Sequence, residues 1–496
     1  MRAKMISSRF RCGTLAAFGL LLLSGCALVQ DDPGQVTIVN PQKAQLAQLA
    51  QAIHLANSGW PAARWWENYH DRQLTMLVNR ALQNSPTMQA ARLRVGQSQS
   101  TVALAQSAMG VQAGAVAAQN YMRVSDRDAK ATWPYAYSLP VDKQGPWYTL
   151  NTVGVGASLN IDLWGSDRAR VAAAIGEQNA RLAETAAIEL DIASSVAQLY
   201  FAMQATFARI ALLNEQQEIA RFSELAHQQR AARGLEDSVD LAGAQAERLA
   251  AQQQLVEANG ALTRYRETLR ALIGADAQSM PEIHAVALPQ LQQTLPATLS
   301  FELLARRPDL QALRGYVTAT MSQVDSAKAA FYPHFDIKAF WGYNAFDVGD
   351  LFRYSFQQLN ILPALTLPLF DGGRLNAHLK SVRTASNILI KQYNQAVLDA
   401  VRDVAITSSQ LNDLNQMVAM QQEKVRAAMT ATNSAAAHYQ RGLLSRFRAQ
   451  EARRLALAQQ LLLLDMQAQQ LSTDITLIKA LGGGYRNENE KGEEKP

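Results

Sequence analysis

The sequence predicts a mainly α-helical chain with a smaller membrane β part, built as two copies of one unit. Three observations carry that expectation. A set of landmarks recurs in the same order in both halves. Two proline-free stretches, each about 67 residues long, keep apolar residues at coiled-coil spacing. Beside them lie short segments that alternate apolar and polar residues, the period of a strand with two unlike faces.

The first 25 residues read as a removable leader. Arg2, Lys4, Arg9 and Arg11 precede an apolar run from Leu15 to Leu23 that only Gly19 interrupts. That run is too short for a comfortable helical span of about 20 residues. It ends in Leu23-Ser24-Gly25-Cys26, which resembles a bacterial lipobox, where the Cys26 thiol would take a diacylglyceryl group. Ala27 follows; aspartate in that place marks inner-membrane retention, so Ala27 implies transport to the outer membrane.

Removing the leader changes the charge argument. Four of the 47 basic residues and none of the 42 acidic ones lie in it, which leaves 43 basic against 42 acidic. The basic pI therefore gives no case for a nucleic-acid partner. Cys12 leaves with the leader and Cys26 carries lipid, so no thiol remains for a disulfide or a thiolate metal site. No cofactor is expected beyond the covalent lipid on Cys26.

The landmarks of the duplication come in pairs. Ser85-Pro86-Thr87 and Arg307-Pro308-Asp309 each open a helix, and Met109-Gly110-Val111 and Tyr332-Pro333-His334 close them. Leu163-Trp164-Gly165 with Arg168 answers to Leu369-Phe370-Asp371 with Arg374. Arg233-Gly234-Leu235 answers to Arg441-Gly442-Leu443, and Arg270-Ala271-Leu272 with Gly274 to Lys479-Ala480-Leu481 with Gly483. Each copy reads as helix, two strands, very long helix and returning helix. The long helices, from about Asp167 to Arg233 and from about Gly373 to Arg441, would each extend about 100 Å at 1.5 Å per residue. Neighbouring helices must cover them. Ile188, Ile192, Val196, Leu199, Met203, Phe207, Ile210 and Leu213 form one seam; Val397, Val401, Val404, Leu411, Leu414 and Val418 form another; Leu255, Leu262 and Leu269 keep a strict seven. Glycine followed by a polar cap at 234–237 and 442–445 predicts helix-ending turns.

Between Trp147 and Leu163 alternate residues are mostly apolar, and the intervening ones are Tyr148, Thr152, Gly154, Gly156, Ser158, Asn160 and Asp162. Phe335, Ile337, Ala339, Trp341 and Tyr343 oppose His334, Asp336, Lys338 and Asn344; Leu359, Ile361, Leu365, Leu367 and Leu369 share a face. The segment from Val111 to Met122 alternates poorly. These are four strands suited to a wall between lipid and a wet lumen. A half-buried soluble sheet reads the same way from the strands alone. Four strands cannot close a barrel, and open edges in lipid leave backbone groups unpaired, so several copies would share one barrel. Two, three or four chains all satisfy that count. Residues 124–146 read as a polar surface loop.

Catalytic signatures are lacking. The seven histidines show no HExxH spacing, and neither Asp371-Gly372-Gly373 nor Gly482-Gly483-Gly484 completes a nucleotide loop. The chain reads as a non-enzyme.

Leu23-Ser24-Gly25-Cys26-Ala27-Leu28-Val29, Ala305-Arg306-Arg307-Pro308-Asp309-Leu310, Phe331-Tyr332-Pro333 and Leu367-Pro368-Leu369-Phe370-Asp371-Gly372-Gly373-Arg374 together resemble the TolC-like outer-membrane factor family, in its lipoprotein branch, over nearly the whole mature chain. The resemblance implies a TolC-like α/β-barrel with four transmembrane strands per protomer, and coiled-coil helices that form a periplasmic tunnel in a homotrimer. It implies an outer-membrane conduit of a tripartite multidrug efflux pump, partnered by outer-membrane lipid, a periplasmic membrane-fusion adaptor and, through it, an inner-membrane transporter. A type I protein-secretion duct or a pore-less coiled-coil lipoprotein are the alternatives. The expected organisation is leader 1–25, an anchored equatorial segment 26–70, first repeat 71–275, linker 276–297, second repeat 298–484 and polar tail 485–496. Gly234, Leu235, Gly442 and Leu443 match the tips where adaptor hairpins engage. Arg448, Glu451 and Asp240 match the periplasmic entrance. The archetype has two acids at the places of Arg448 and Glu451, so this chain departs from it, and a helical pair Arg448–Glu451 would compensate.

Overall fold

A computed structural model describes residues 34–38, 61–123, 147–276, 278–291 and 306–485. The leader, Cys26, most of segment 26–70, the loop 124–146 and the tail from 486 lie outside the described residues. The elements run α1 (Arg72–Asn84), α2 (Pro86–Ser107), β1 (Gln112–Arg123), β2 (Trp147–Ile161), α3 (Ser166–Ala232), α4 (Ser238–Leu272), α5 (Pro308–Ala329), β3 (His334–Ala345), β4 (Gln357–Thr366), α6 (Arg374–Gln440) and α7 (Arg446–Ala480). The duplication is exact in helix length. α2 and α5 have 22 residues, α3 and α6 have 67, and α4 and α7 have 35. The poorly alternating segment at 112–123 is a strand after all. Its alanines and glycine give it little pattern of its own, and pairing along its whole length with β2 holds it.

The chain divides into two compact units. The first holds residues up to 36, 97–178 and 315–390. Its sheet is antiparallel in the order β1-β2-β3-β4, so β1 and β4 are edges. Beside it Val324 and Ala327 of α5 pack on Leu379 of α6, with Phe331 and Val382 closing the cluster.

The second unit holds 37–96, 179–314 and 391–496. Its core gathers Leu74, Leu77, Val78 and Ala81 of α1, Val196, Tyr200 and Met203 of α3, Leu269 and Ile273 at the end of α4, and Leu471 and Ile475 of α7. Asp71 fixes the entry to α1. One carboxylate oxygen caps the helix, accepting from the Gln73 and Leu74 amides at 2.8 and 3.1 Å; the other accepts from the buried Tyr200 hydroxyl at 2.6 Å. The linker is strapped down by two glutamines. Gln73 and Gln204 both donate to the His284 carbonyl, and their side-chain oxygens accept from the His284 and Val286 amides. α3 carries a stretch long and apolar enough to cross a membrane, the only such helix among the described residues. Its apolar side chains Val196, Tyr200 and Met203 are spent on this core, which accounts for that composition.

The heptad seams are sharper than the sequence suggested. In α6 the buried positions include Ile390, Val397, Val404, Leu411 and Val418, each seven apart, and in α7 Leu457, Leu464 and Leu471. In α4 the seam of small residues Ala244, Ala251 and Ala258 is the buried one, while Leu255 and Leu262 are only half-buried.

Tyr69 donates to Asp474 of α7 at 2.6 Å, and burial pushes the Asp474 carboxyl above its ordinary value. A raised folded-state value means that this contribution to stability is full below the usual carboxylate range and is lost as pH rises through the raised value. Asp474→Asn keeps an acceptor for Tyr69 without a buried charge. Its unfolding temperature at pH 7.5 should equal or exceed that of the parent, with a smaller gain on acidification to pH 5. Asp474→Ala strands the hydroxyl and should lower stability by about 1–3 kcal/mol.

Candidate functional site

Two surfaces concentrate features that folding alone does not require: the sheet of the first unit and the helix turns of the second.

The strand register sorts the sheet into two unlike faces. One carries the rows Val155–Trp341–Leu359, Ala157–Ala339–Ile361, Leu159–Ile337–Pro363 and Ile161–Phe335–Leu365. The other carries Ser158–Lys338, Asn160–Asp336 and Thr152–Asn344. Leu359, Ile361 and Leu365 are each about two-thirds exposed and Val155 and Trp341 about half, so among the described residues much of the apolar face is uncovered. Such an area in water is unfavourable at roughly 25 cal/mol per Å², and a lipid phase removes the cost. Stacked aromatic pairs mark both ends of the sheet. Tyr121 and Trp147 stack at 5.0 Å at the loop end. Trp164 and Tyr332 stack at 4.9 Å at the helix end, where the Trp164 indole donates to the Pro333 carbonyl. Amphipathic rings at both rims are the pattern of a membrane-spanning β wall. The sequence does not reveal these pairs, because their members lie far apart in the chain or on either side of residues 124–146.

The turns at Gly234 and Gly442 are built alike. Leu235 N donates to Arg230 O and Gly234 N to Ala231 O; Leu443 N donates to His438 O and Gly442 N to Tyr439 O. Both glycines have positive φ, 70° and 74°, the left-handed closing geometry of a helix end. The residue after such a glycine commonly packs back on the helix. Here the facing positions are Arg230 and His438, and Leu235 and Leu443 stay exposed. The same bond pattern closes α4 at Gly274 and α7 at Gly482, so the partner of Gly274 is Gly482 and not Gly483. A run of three glycines hides that register in the sequence.

A ladder between α3 and α7 joins the duplicated hairpins side by side. From its middle to the turns it comprises Asp191–Lys479 at 2.6 Å, Gln198–Thr476 at 3.1 Å, Arg209–Asp465, Glu215–Arg453 at 2.5 and 2.7 Å, and Arg446 over the Phe222 ring at 4.4 Å. His227 packs edge-on to Phe447 at 5.3 Å. In α4, Arg248 ties to Glu224 of α3, and α7 ties to α6 through Gln421–Gln459 and Asn415–Gln470. The order across the hairpins is thus α4, α3, α7, α6. None of these cross-hairpin partners was foreseen.

Arg448 and Asp240 are exposed on the first turns of α7 and α4, and Glu451 is half-buried. The expected pair Arg448–Glu451 does not form. Glu451 accepts two hydrogen bonds from Arg454, at 2.7 and 3.0 Å, and these hold its carboxyl below the ordinary range, with Arg448 adding a weaker pull. Both arginines lie three residues away. The acid-before-base order favours Arg454, because it runs with the helix dipole. No ion pair among the described residues joins Asp240 to either. No group of three or more potential metal ligands occurs among the described residues.

Comparisons with known proteins bear on both surfaces. The family model described as "Outer membrane efflux protein" matches residues 77–275 and 299–483. The chain is 47% identical over 484 residues to multidrug resistance outer membrane protein MdtP of Escherichia coli strain K12, covering 97% of this chain and 98% of that protein. It is 36% identical over 475 residues to multidrug resistance outer membrane protein MdtQ of Escherichia coli O6:H1, covering 95% and 98%. Among solved structures, the outer membrane protein VceC of Vibrio cholerae superposes with TM-score 0.73 at 29% identity, covering 86% of this chain and all of that one. The CmeC outer membrane channel of Campylobacter jejuni gives 0.78 at 19%, covering 94% and 97%.

Proposed function

The chain belongs to the outer membrane efflux protein family, and from that premise we propose that it is the outer-membrane channel of a tripartite multidrug efflux pump, a passive homotrimeric conduit with no catalytic step. Its relatives MdtP and MdtQ are named as multidrug resistance outer membrane proteins. The observation that carries the reading is a sheet with one uncovered apolar face and two unpaired edges. Lipid satisfies the face, but nothing in lipid satisfies the edges. The β1 edge of one copy must therefore meet the β4 edge of the next, a head-to-tail contact that closes into a ring. Three copies give twelve strands. Gly234, Leu235, Gly442 and Leu443 form the tips that meet a periplasmic adaptor, which in turn joins an inner-membrane transporter. Arg448, Glu451 and Asp240 stand at the periplasmic entrance.

The test uses the full chain extracted in detergent. Its mass should be that of three copies, and in a planar bilayer it should give stable conductance steps. A monomer, or a trimer without conductance, rejects the reading.

Cys26 is the proposed lipid attachment site. Cys26→Ser should abolish incorporation of labelled palmitate while the barrel still inserts; undiminished labelling rejects the assignment.

A further inference from the structure

The two helix turns share one backbone geometry but differ in charge. Arg233 and Arg441 are exposed at matching places, but the third residue of the following helix is the exposed acid Asp240 in the first turn and the exposed base Arg448 in the second. The other acids of the first turn are engaged locally. Glu236 takes His227 at 2.7 Å and Arg230 at 2.8 Å, and Asp237 caps α4 by accepting from the Val239 and Asp240 amides. In the second turn, residues 438–449 contain Arg441, Arg446 and Arg448 and no acid. Further along α7, Arg453 is held by Glu215 and Arg454 by Glu451, and Arg446 lies over Phe222. Arg441 and Arg448 are exposed and make no ion pair among the described residues. They flank Leu443, which is 71% exposed.

Folding does not ask for this arrangement. Arg446 and Arg448 sit in the first turn of a 35-residue helix that has no acid there, where the helix dipole disfavours positive charge. A locally unfavourable charge beside an exposed leucine is the kind of inconsistency expected where a surface serves contact.

We propose that the second turn, and not the first, is the seat of a partner segment that presents carboxylates around an apolar contact: the carboxylates meet Arg441 and Arg448, and the apolar group meets Leu443. This rests on the reading of the turns as docking tips. Because both arginines are solvated, they steer and select the partner more than they tighten it, and salt weakens the contact.

The probes are two synthetic helix-turn-helix peptides identical except at four turn positions, glutamate in one and lysine in the other. Their binding to the detergent-purified full chain is read by fluorescence anisotropy at low and high sodium chloride. The glutamate peptide should bind at least about tenfold more tightly at low salt and lose that advantage at high salt. The double variant Arg441→Glu, Arg448→Glu should reverse the preference, whereas Glu257→Lys, exposed in the middle of α4 and away from both turns, should leave it in place. Equal binding of the two peptides, including none by either, or a preference that survives the double reversal, overturns the proposal. Export by Gly442→Phe separates the two levels. If that variant still exports, docking at the turns is itself wrong. If it fails to export while the peptides bind equally, only the charge assignment falls.

Discussion

Gly342→Val is expected to empty the outer membrane of assembled channel. Gly154 and Gly342 face one another across β2 and β3, with the Phe340 ring lying against both. A Cβ on Gly342 would stand 2.3 Å from the Val153 carbonyl oxygen, 2.6 Å from the Gly154 Cα and 2.8 Å from the Phe340 ring. The first two are backbone atoms of a paired strand and cannot turn aside as a side-chain end could. The strands must separate locally, which breaks ladder bonds that lipid does not replace. Overpacking of this kind costs about 1–3 kcal/mol in a protein core, and every copy in a ring incurs it. Trimer recovered from outer-membrane fractions, resolved by semi-native electrophoresis, should fall at least about tenfold, since 1.4 kcal/mol is already a factor of ten. Gly114→Ala is the control. It lies on the same polar face, in β1, with nothing within 4 Å of its added Cβ, and should assemble normally. Normal assembly of Gly342→Val would show that the close pairing of β2 with β3 does not constrain the barrel.

The contrast between Gly342 and Gly114 also shows where the sequence is legible. Helix lengths, turns and the duplication can be read because each is a local or periodic signal. A heptad repeats along α6 from Ile390 to Val418, and a glycine followed by a polar cap marks a helix end at Gly234 and Gly442. The second and third strands can be read because their two faces differ in chemistry. The first strand is nearly silent, since all of residues 113–118 except Val116 are alanine or glycine, which serve either face. Contacts between distant segments leave no local trace. Glu215 and Arg453 look like ordinary surface charges on two helices until α3 and α7 are laid side by side. The entrance illustrates the same limit on a small scale. Arg448 and Arg454 both stand three residues from Glu451, so spacing admits either pair, and only helix polarity decides between them. Each of these lost signals is a relation between residues rather than a property of one.

Gly442→Phe should abolish export while leaving trimers intact. The two halves of that outcome have separate causes. Inside the chain the first added carbon is free of contact: no atom lies within 4 Å of a Cβ at this position. The remaining internal cost is that of holding a non-glycine residue at φ 74°, about 1–2 kcal/mol, at a turn far along the chain from the packed core residues of α1 and Leu471. Outside the chain, a ring of that size covers the turn beside Leu443 and denies close approach to a partner hairpin. Gly442→Asn separates strain from obstruction, since asparagine tolerates the left-handed region and adds little bulk. Drug susceptibility of cells whose only channel is the variant should match a channel-less strain for Gly442→Phe and stay near the parent for Gly442→Asn, with equal trimer in both membranes. If both variants fail alike, the turn's conformation is what matters and not access to it. If Gly442→Phe protects cells as well as the parent does, the second turn is not a docking tip.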